Sequence, residues 1–310
     1  MGVVKWYDDT MLQDITPHKL HNEYAPTAPQ DDDLVFAFSE KGRKALLRAF
    51  DDTGRLLDRP VTDEYPVVPK LIFPRILDYR NQFPDRLPKL RFLFHIDETA
   101  VFLDPDASED SFSIPGFAWL SSRLFRRGLP QEFSFAGATA WHLSEWYRTV
   151  RFCGRCGAPT KPDQRERAMR CTSCGHIVYP RINPAVIIGI RSADGERIIL
   201  SRYADRPYKG RSLIAGYCEI GETAEETVAR EAMEEVGLHV KDITYYRSQP
   251  WGFDGALLMG FYCTVDGDET IKRDPGELAE AWWCPRSEIG DLIGTASLTN
   301  EMIARFRDAG

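Results

Sequence analysis

The sequence predicts an α+β protein in three parts, and three observations lead there. Residues 1–147 alternate short apolar runs, at 34–38 and 90–96, with turn-like stretches, the pattern of strands in an α+β domain. Residues 148–180 carry two C-x-x-C pairs. Residues 181–310 read strand, turn, strand, loop and then a Glu-rich helix, with further strands and a closing helix behind it.

Size and composition agree. A chain of 310 residues exceeds one ordinary core, so two or three units are expected. Hydrophobic content of 43% and charged content of 28% are those of a globular chain. A net charge of −8 argues against a general nucleic-acid-binding surface, though not against a local basic groove. The longest aliphatic run, 185–190, is far short of a membrane span, and residues 1–10 show no apolar signal core. Cytoplasm is the expected location, with no membrane partner.

In the N-terminal part, helices are expected over about 116–127 and 137–148. Asp31-Asp32-Asp33 reads as a solvated acidic loop, and no catalytic constellation stands out.

Cys153-x2-Cys156, fourteen residues, then Cys171-x2-Cys174 has the spacing of a zinc ribbon. Each pair is followed by a glycine, Gly157 or Gly175, and makes a tight knuckle. Two knuckles supply four thiolates in a tetrahedral shell with no position left for water, so the zinc is expected to be structural. A redox pair is the alternative. Of the seven cysteines, Cys218, Cys263 and Cys284 stand alone on apolar stretches and are expected as buried small hydrophobes.

Beyond residue 181, strands are expected at 183–190 and 197–202, and an approach loop from Tyr208 leads through 213–216 to the acidic helix. Thr223 and Glu226 are spaced as a capping box, and Gly237 stands where a helix closes. Glu231, Glu234 and Glu235 lie at i, i+3 and i+4, one helical face. Acids gathered there repel one another, and such a face suits a hard divalent cation. Arg230 and Glu222 are eight residues apart, so Arg230 can neutralise and orient part of the cluster. After the helix, strands are expected at 241–247 and 256–263, and a last helix over about 295–308.

Gly216, five residues, Glu222, seven residues, then Arg230-Glu231-Ala232-Met233-Glu234-Glu235-Val236-Gly237-Leu238 resembles the Nudix box. Ala232 departs from it, standing where the pattern prefers a larger aliphatic. The resemblance implies a Nudix fold, a mixed sheet sandwiched between helices (αβα), here preceded by the zinc ribbon and the α+β N-terminal domain. The divisions are 1–147, 148–180 and 181–310.

Ser248-Gln249-Pro250-Trp251, about ten residues past the box, narrows the family. Box, ribbon and this motif together resemble the NADH pyrophosphatase family of Nudix hydrolases over 148–310. In that family the motif runs on as Ser-Gln-Pro-Trp-Pro-Phe-Pro. Here Gly252 and Asp254 replace the two later prolines, while Trp251 and Phe253 remain to stack on a planar base. The resemblance implies metal-dependent hydrolysis of NADH or NAD to NMN(H) and AMP, by a homodimer. It implies that Glu231, Glu235, Glu277 and the Ala215 carbonyl bind Mg²⁺ or Mn²⁺. Glu234 becomes a further ligand or the base, and spacing does not choose between Glu234 and Glu235 for that role. Glu166, Tyr179 and Gln249, Pro250, Trp251, Gly252, Phe253, Asp254, Gly255 and Ala256 match positions lining the nucleotide. Thr299 stands where the family has an alanine. The alternatives are the same chemistry on the NAD cap of an RNA 5′ end, on ADP-ribose or on diadenosine polyphosphates, and, from another class, a non-catalytic nucleotide sensor. The intact box acids speak against the sensor.

Overall fold

The structure, a computed structural model, describes residues 11–39, 43–57, 68–204, 210–290, 292 and 296–309. The chain's opening stretch, Tyr208 and Thr295, each named above, lie outside these residues. Two units divide the chain: residues 12–181 with 252–254, and residues 182–251 and 255–310 with the N-terminal stretch through Met11.

The first unit contains β1 (Leu20–His21), β2 (Leu34–Phe36), β3 (Lys44–Phe50), β4 (Lys70–Ile72), α1 (Ile76–Gln82), β5 (Arg91–Ile96), β6 (Thr99–Leu103), β7 (Ala118–Ser121) and α2 (Gln131–Thr149). One sheet runs β1–β5–β6–β2 and another β4–β3–β7. Apolar faces of these strands meet Ile76 and Tyr79 of α1 in a common core. The helix expected over 116–127 is instead β7 followed by a 3-10 turn at Ser122–Arg126. Pairing of 118–121 with Lys44–Leu47, far away in sequence, decides this against local preference. The helix expected at 137–148 forms and begins earlier, at Gln131. Asp33 is no solvated acid. It is 5% exposed, and its carboxylate accepts from the N–H groups of Ala100 (2.9 Å) and Gln30 (2.7 Å). A short carboxylate that takes two backbone donors can be buried at little cost. The ribbon closes this unit with β8 (Thr160–Pro162), β9 (Met169–Cys171) and β10 (Ile177–Val178), an antiparallel sheet in the order β10–β9–β8.

The second unit is built on β11 (Asn183–Arg191), whose residues 185–190 are all buried. Near-continuous apolar character is what a strand covered on both faces requires. Around it lie β12 (Arg197–Tyr203), β13 (Ile214–Tyr217), α3 (Ala224–Val236), β14 (Val240–Trp251), β15 (Ala256–Val265), β16 (Leu278–Pro285) and α4 (Leu298–Asp308). The sheet runs β14–β15–β11–β12–β16, with β13 also on β11, and only β11 and β15 are parallel. Alternation along β11 sets the layers. Val186, Ile188 and Ile190 join Val228, Ala232 and Val236 of α3 in one core. Ile187 joins Leu298, Met302, Ile303 and Phe306 of α4 in the other. The mixed sheet is therefore sandwiched between α3 and α4. Ala232 is fully buried, and its small side chain forgoes about 0.8 kcal/mol for each methylene a larger aliphatic would bury there. Cys263 and Cys284 are buried as expected, whereas Cys218 is half-buried.

Ser248-Gln249-Pro250-Trp251 belongs to the sheet. It ends the twelve-residue strand β14, paired with Met259 to Ala256 of β15. β14 lies at the sheet edge, where proline is tolerated. No helix among the described residues is long and apolar enough to cross a membrane.

Candidate active site

The acidic helix starts and stops as its sequence dictates. The Thr223 hydroxyl accepts from Glu226 N–H (3.2 Å), and the Glu226 carboxylate accepts from Thr223 N–H (2.7 Å). Gly237 closes the helix in the left-handed region, φ 69°.

Arg230 is the hub. A guanidinium has five N–H donors, and each has an acceptor here. Nε donates to Glu222 Oε1 (2.6 Å), and Nη2 to Glu222 Oε2 (2.9 Å) and the Tyr217 carbonyl (3.0 Å). Nη1 donates to Glu231 Oε1 (2.7 Å) and Glu234 Oε2 (2.9 Å). Arg230 above all, then the Glu219 N–H and the Thr227 hydroxyl, hold the Glu222 carboxyl down at about 2. Sequence reading found the Arg230–Glu222 pair and missed Thr227, whose only local signal is its place one turn before Arg230.

The three acids are not equivalent. Glu235, four residues past Glu231 and so about 40° round the helix, is turned inward with it. Glu231 is 8% and Glu235 1% exposed. Glu234 falls on the other side by about 60° and stays exposed. Burial pushes the Glu231 carboxyl up, Arg230 opposes this, and the charges of Glu234 and Glu277 add to the rise. Crowded negative charge of this kind is relieved by a cation.

Gly216 shows how closely the sheet approaches. A Cβ built on it would lie 1.9 Å from Glu231 Oε1, so only glycine leaves room for that carboxylate against β13. Ala215 precedes it on the same strand. These are hard oxygen donors at a backbone cradle, and they fit a divalent cation such as Mg²⁺ or Mn²⁺. Among the described residues only the four cysteines bring three or more such ligand atoms within 4.8 Å of one another. The acids of α3 are not gathered that tightly, and Glu231 and Glu234 are instead tied to one Arg230 nitrogen.

In the ribbon, Cys156 Sγ lies 3.5 Å from both Cys171 Sγ and Cys174 Sγ, and Cys153 Sγ lies 3.8 Å from Cys174 Sγ. Four sulfurs at zinc–thiolate length on a tetrahedron sit about 3.8 Å apart. Disulfide sulfurs would lie at about 2.05 Å. The two knuckles repeat the same contacts. Gly157 N–H donates to the Cys153 carbonyl and Gly175 N–H to that of Cys171, while Arg155 and Ser173 N–H donate to the first sulfur of each pair. The Cys174 N–H, with that of Ser173, draws the Cys171 thiol down to about 6, while the Cys156 thiol, against the pull of the Ala158 N–H, is pushed up to about 12 by the Cys171 and Cys174 sulfurs, so the cluster shares its protons.

Comparison with known proteins matches residues 181–306 to the NUDIX domain and residues 148–179 to the NADH pyrophosphatase zinc ribbon domain. Residues 148–306 are thus a zinc ribbon followed by a Nudix domain. The chain is 43% identical over 151 residues to proteins named NAD-capped RNA hydrolase NudC from Citrobacter koseri and Salmonella typhi, covering 49% of this chain and 57% of each relative. It therefore spans little more than half the length of the curated relatives it matches. Among solved structures, a NUDIX hydrolase from Nitrosomonas europaea covers 51% of this chain and 91% of its own, at 19% identity and a TM-score of 0.42.

The remaining expected residues scatter in role. In the Nudix domain, Gln249 is fully buried. Its amide nitrogen donates to the Ala296 carbonyl (2.9 Å) and its oxygen accepts from Leu298 N–H (2.8 Å). Its side chain thus holds the start of α4 rather than presenting itself to a nucleotide. Pro250 is exposed, Trp251, Gly255 and Thr299 are half-buried, and Ala256 is buried. The Gly255 carbonyl accepts from Asn183.

Residues 252–254 group with the other unit. A Cβ on Gly252 would meet the Ala138 carbonyl at 2.1 Å, Phe253 is 5% exposed beneath the Arg126 guanidinium, and Asp254 lies 3.7 Å from Arg43. Phe253 is therefore a packed ring and not a base-stacking face. The glycine in place of proline is what lets the backbone reach α2. In the ribbon unit, the exposed Tyr179 donates its hydroxyl to Glu166, 3.1 Å from both oxygens.

Proposed function

We propose that this chain is a metal-dependent pyrophosphohydrolase that splits NADH or NAD into NMN(H) and AMP. The observation that carries the reading is the Arg230 fork. It sets Glu231 and Glu234 beside the buried Glu235, on the helix that faces the Gly216 cradle. The ribbon's similarity to NADH pyrophosphatases supports the dinucleotide as substrate. On this reading Glu231, Glu235, Glu277 and the Ala215 carbonyl hold Mg²⁺ or Mn²⁺. A cation held by these residues would supply charge neutralisation for the diphosphate and a more acidic water. The protein's own groups do the rest. Arg230 fixes the rotation of Glu231. Burial of Glu235 keeps bulk water from that side of the helix. Exposure of Glu234 supports it over the buried Glu235 as the carboxylate that would take a proton from an attacking water. The family likeness supports Trp251 as a residue for base recognition in the Nudix domain.

A second substrate, the NAD cap of an RNA 5′ end, is favoured by the names of the relatives that match half the chain. The family likeness supports a cytoplasmic location and a homodimer.

The test is a panel of NADH, NAD, ADP-ribose, diadenosine polyphosphate and NAD-capped RNA with Mg²⁺ and with Mn²⁺, scoring products by mass. NMN(H) and AMP from the dinucleotides are expected. No cleavage of any of them would overturn the reading.

A further inference from the structure

We infer that Thr227 is a positioning residue for the acidic helix, acting through Glu222 and Arg230. This rests on the pyrophosphohydrolase reading above. Thr227 is fully buried, and its hydroxyl lies 2.9 Å from Glu222 Oε2 and 3.1 Å from the Thr223 carbonyl. One proton serves one acceptor best, and a charged carboxylate is the stronger of the two. The hydroxyl therefore ties the loop acid to the second turn of the helix.

That tie matters because of what hangs on Glu222. Its two oxygens receive two arms of Arg230, and the remaining Arg230 nitrogen holds Glu231 and Glu234. Glu222 lies on the loop before the helix, where, among the described residues, the Glu219 N–H and the Thr227 hydroxyl hold it besides Arg230. Without the hydroxyl the carboxylate can swing, and the guanidinium swings with it. Thr227 touches no reacting atom, and its effect reaches the reaction by way of the orientation of Glu231.

The experiment compares Thr227→Val, which keeps shape and loses the hydroxyl, with Thr227→Ser, which keeps the hydroxyl. Steady-state NADH hydrolysis is measured alongside hydrogen exchange at Arg230 Nε–H, a resonance assigned by its loss in Arg230→Lys. Removing a hydrogen bond to a charged group should lower kcat by roughly tenfold with KM within about twofold. Arg230 exchange should quicken, and serine should restore both readouts. Unchanged kcat and exchange in the valine variant overturn the inference. So does equal impairment of valine and serine together with a lowered melting temperature, which would mean a packing role. If the wild-type chain cleaves nothing in the panel, the functional reading fails on its own. The exchange comparison then decides: faster exchange in valine alone upholds the tie, and no difference overturns it.

Discussion

The Arg230 guanidinium lies across the Glu222 carboxylate with two parallel contacts, Nε to Oε1 at 2.6 Å and Nη2 to Oε2 at 2.9 Å. This bidentate pair fixes the plane of the guanidinium, and the plane fixes where its last nitrogen meets Glu231 and Glu234. Lysine offers a point charge without a fork. Arg230→Lys should keep the fold and lower kcat by roughly a hundredfold, because loss of bidentate recognition misplaces two acids at once. Steady-state kinetics with circular dichroism checks it.

Gly216→Ala should displace the Glu231 carboxylate. Its methyl would sit 1.9 Å from Glu231 Oε1, so either β13 or the carboxylate must move. Loss of hydrolysis with a lower melting temperature is expected, and activity near wild type would show that Glu231 does not need this place.

Glu235→Gln retains size and removes charge at a side chain 1% exposed. The variant should stay folded, bind Mn²⁺ at least about tenfold more weakly and lose hydrolysis, since a hard cation prefers carboxylate oxygen. Calorimetric Mn²⁺ titration beside turnover tests both halves.

Glu222 gives a pH signature. Its carboxyl is lowered from 4.5 to about 2, chiefly by the Arg230 hydrogen bond. A depressed folded-state value contributes stability above the unfolded value and loses it as pH falls through the folded one. Wild type should melt above Glu222→Gln at pH 6, and the gap should close between about 4.5 and about 2. Melting curves across that range show whether it does.

The four sulfurs should hold one zinc per chain, measured by elemental analysis of reduced protein. Cys156→Ser removes a ligand from a segment whose three strands are of two or three residues. Zinc should be lost and the ribbon should become sensitive to protease, because metal binding supplies folding energy there.

The sequence by itself determined what depends on neighbours along the chain. Thr223 and Glu226 set the helix start and Gly237 its end, because caps act within a few residues. The acids at 231, 234 and 235 were legible because helical spacing is fixed. The four thiols were legible because each knuckle closes within its own pair. Tertiary structure decided what depends on residues brought from afar. It turned Glu235 into the core and left Glu234 in water, since α3 presents only one stripe to the sheet. It made a strand of 118–121 by pairing it with β3. It buried Phe253 against Arg126 and sent Gln249 to a helix start 47 to 49 residues away. A side chain's partners in such cases are fixed by packing and by the need to satisfy buried polar groups, and neither is written in local spacing.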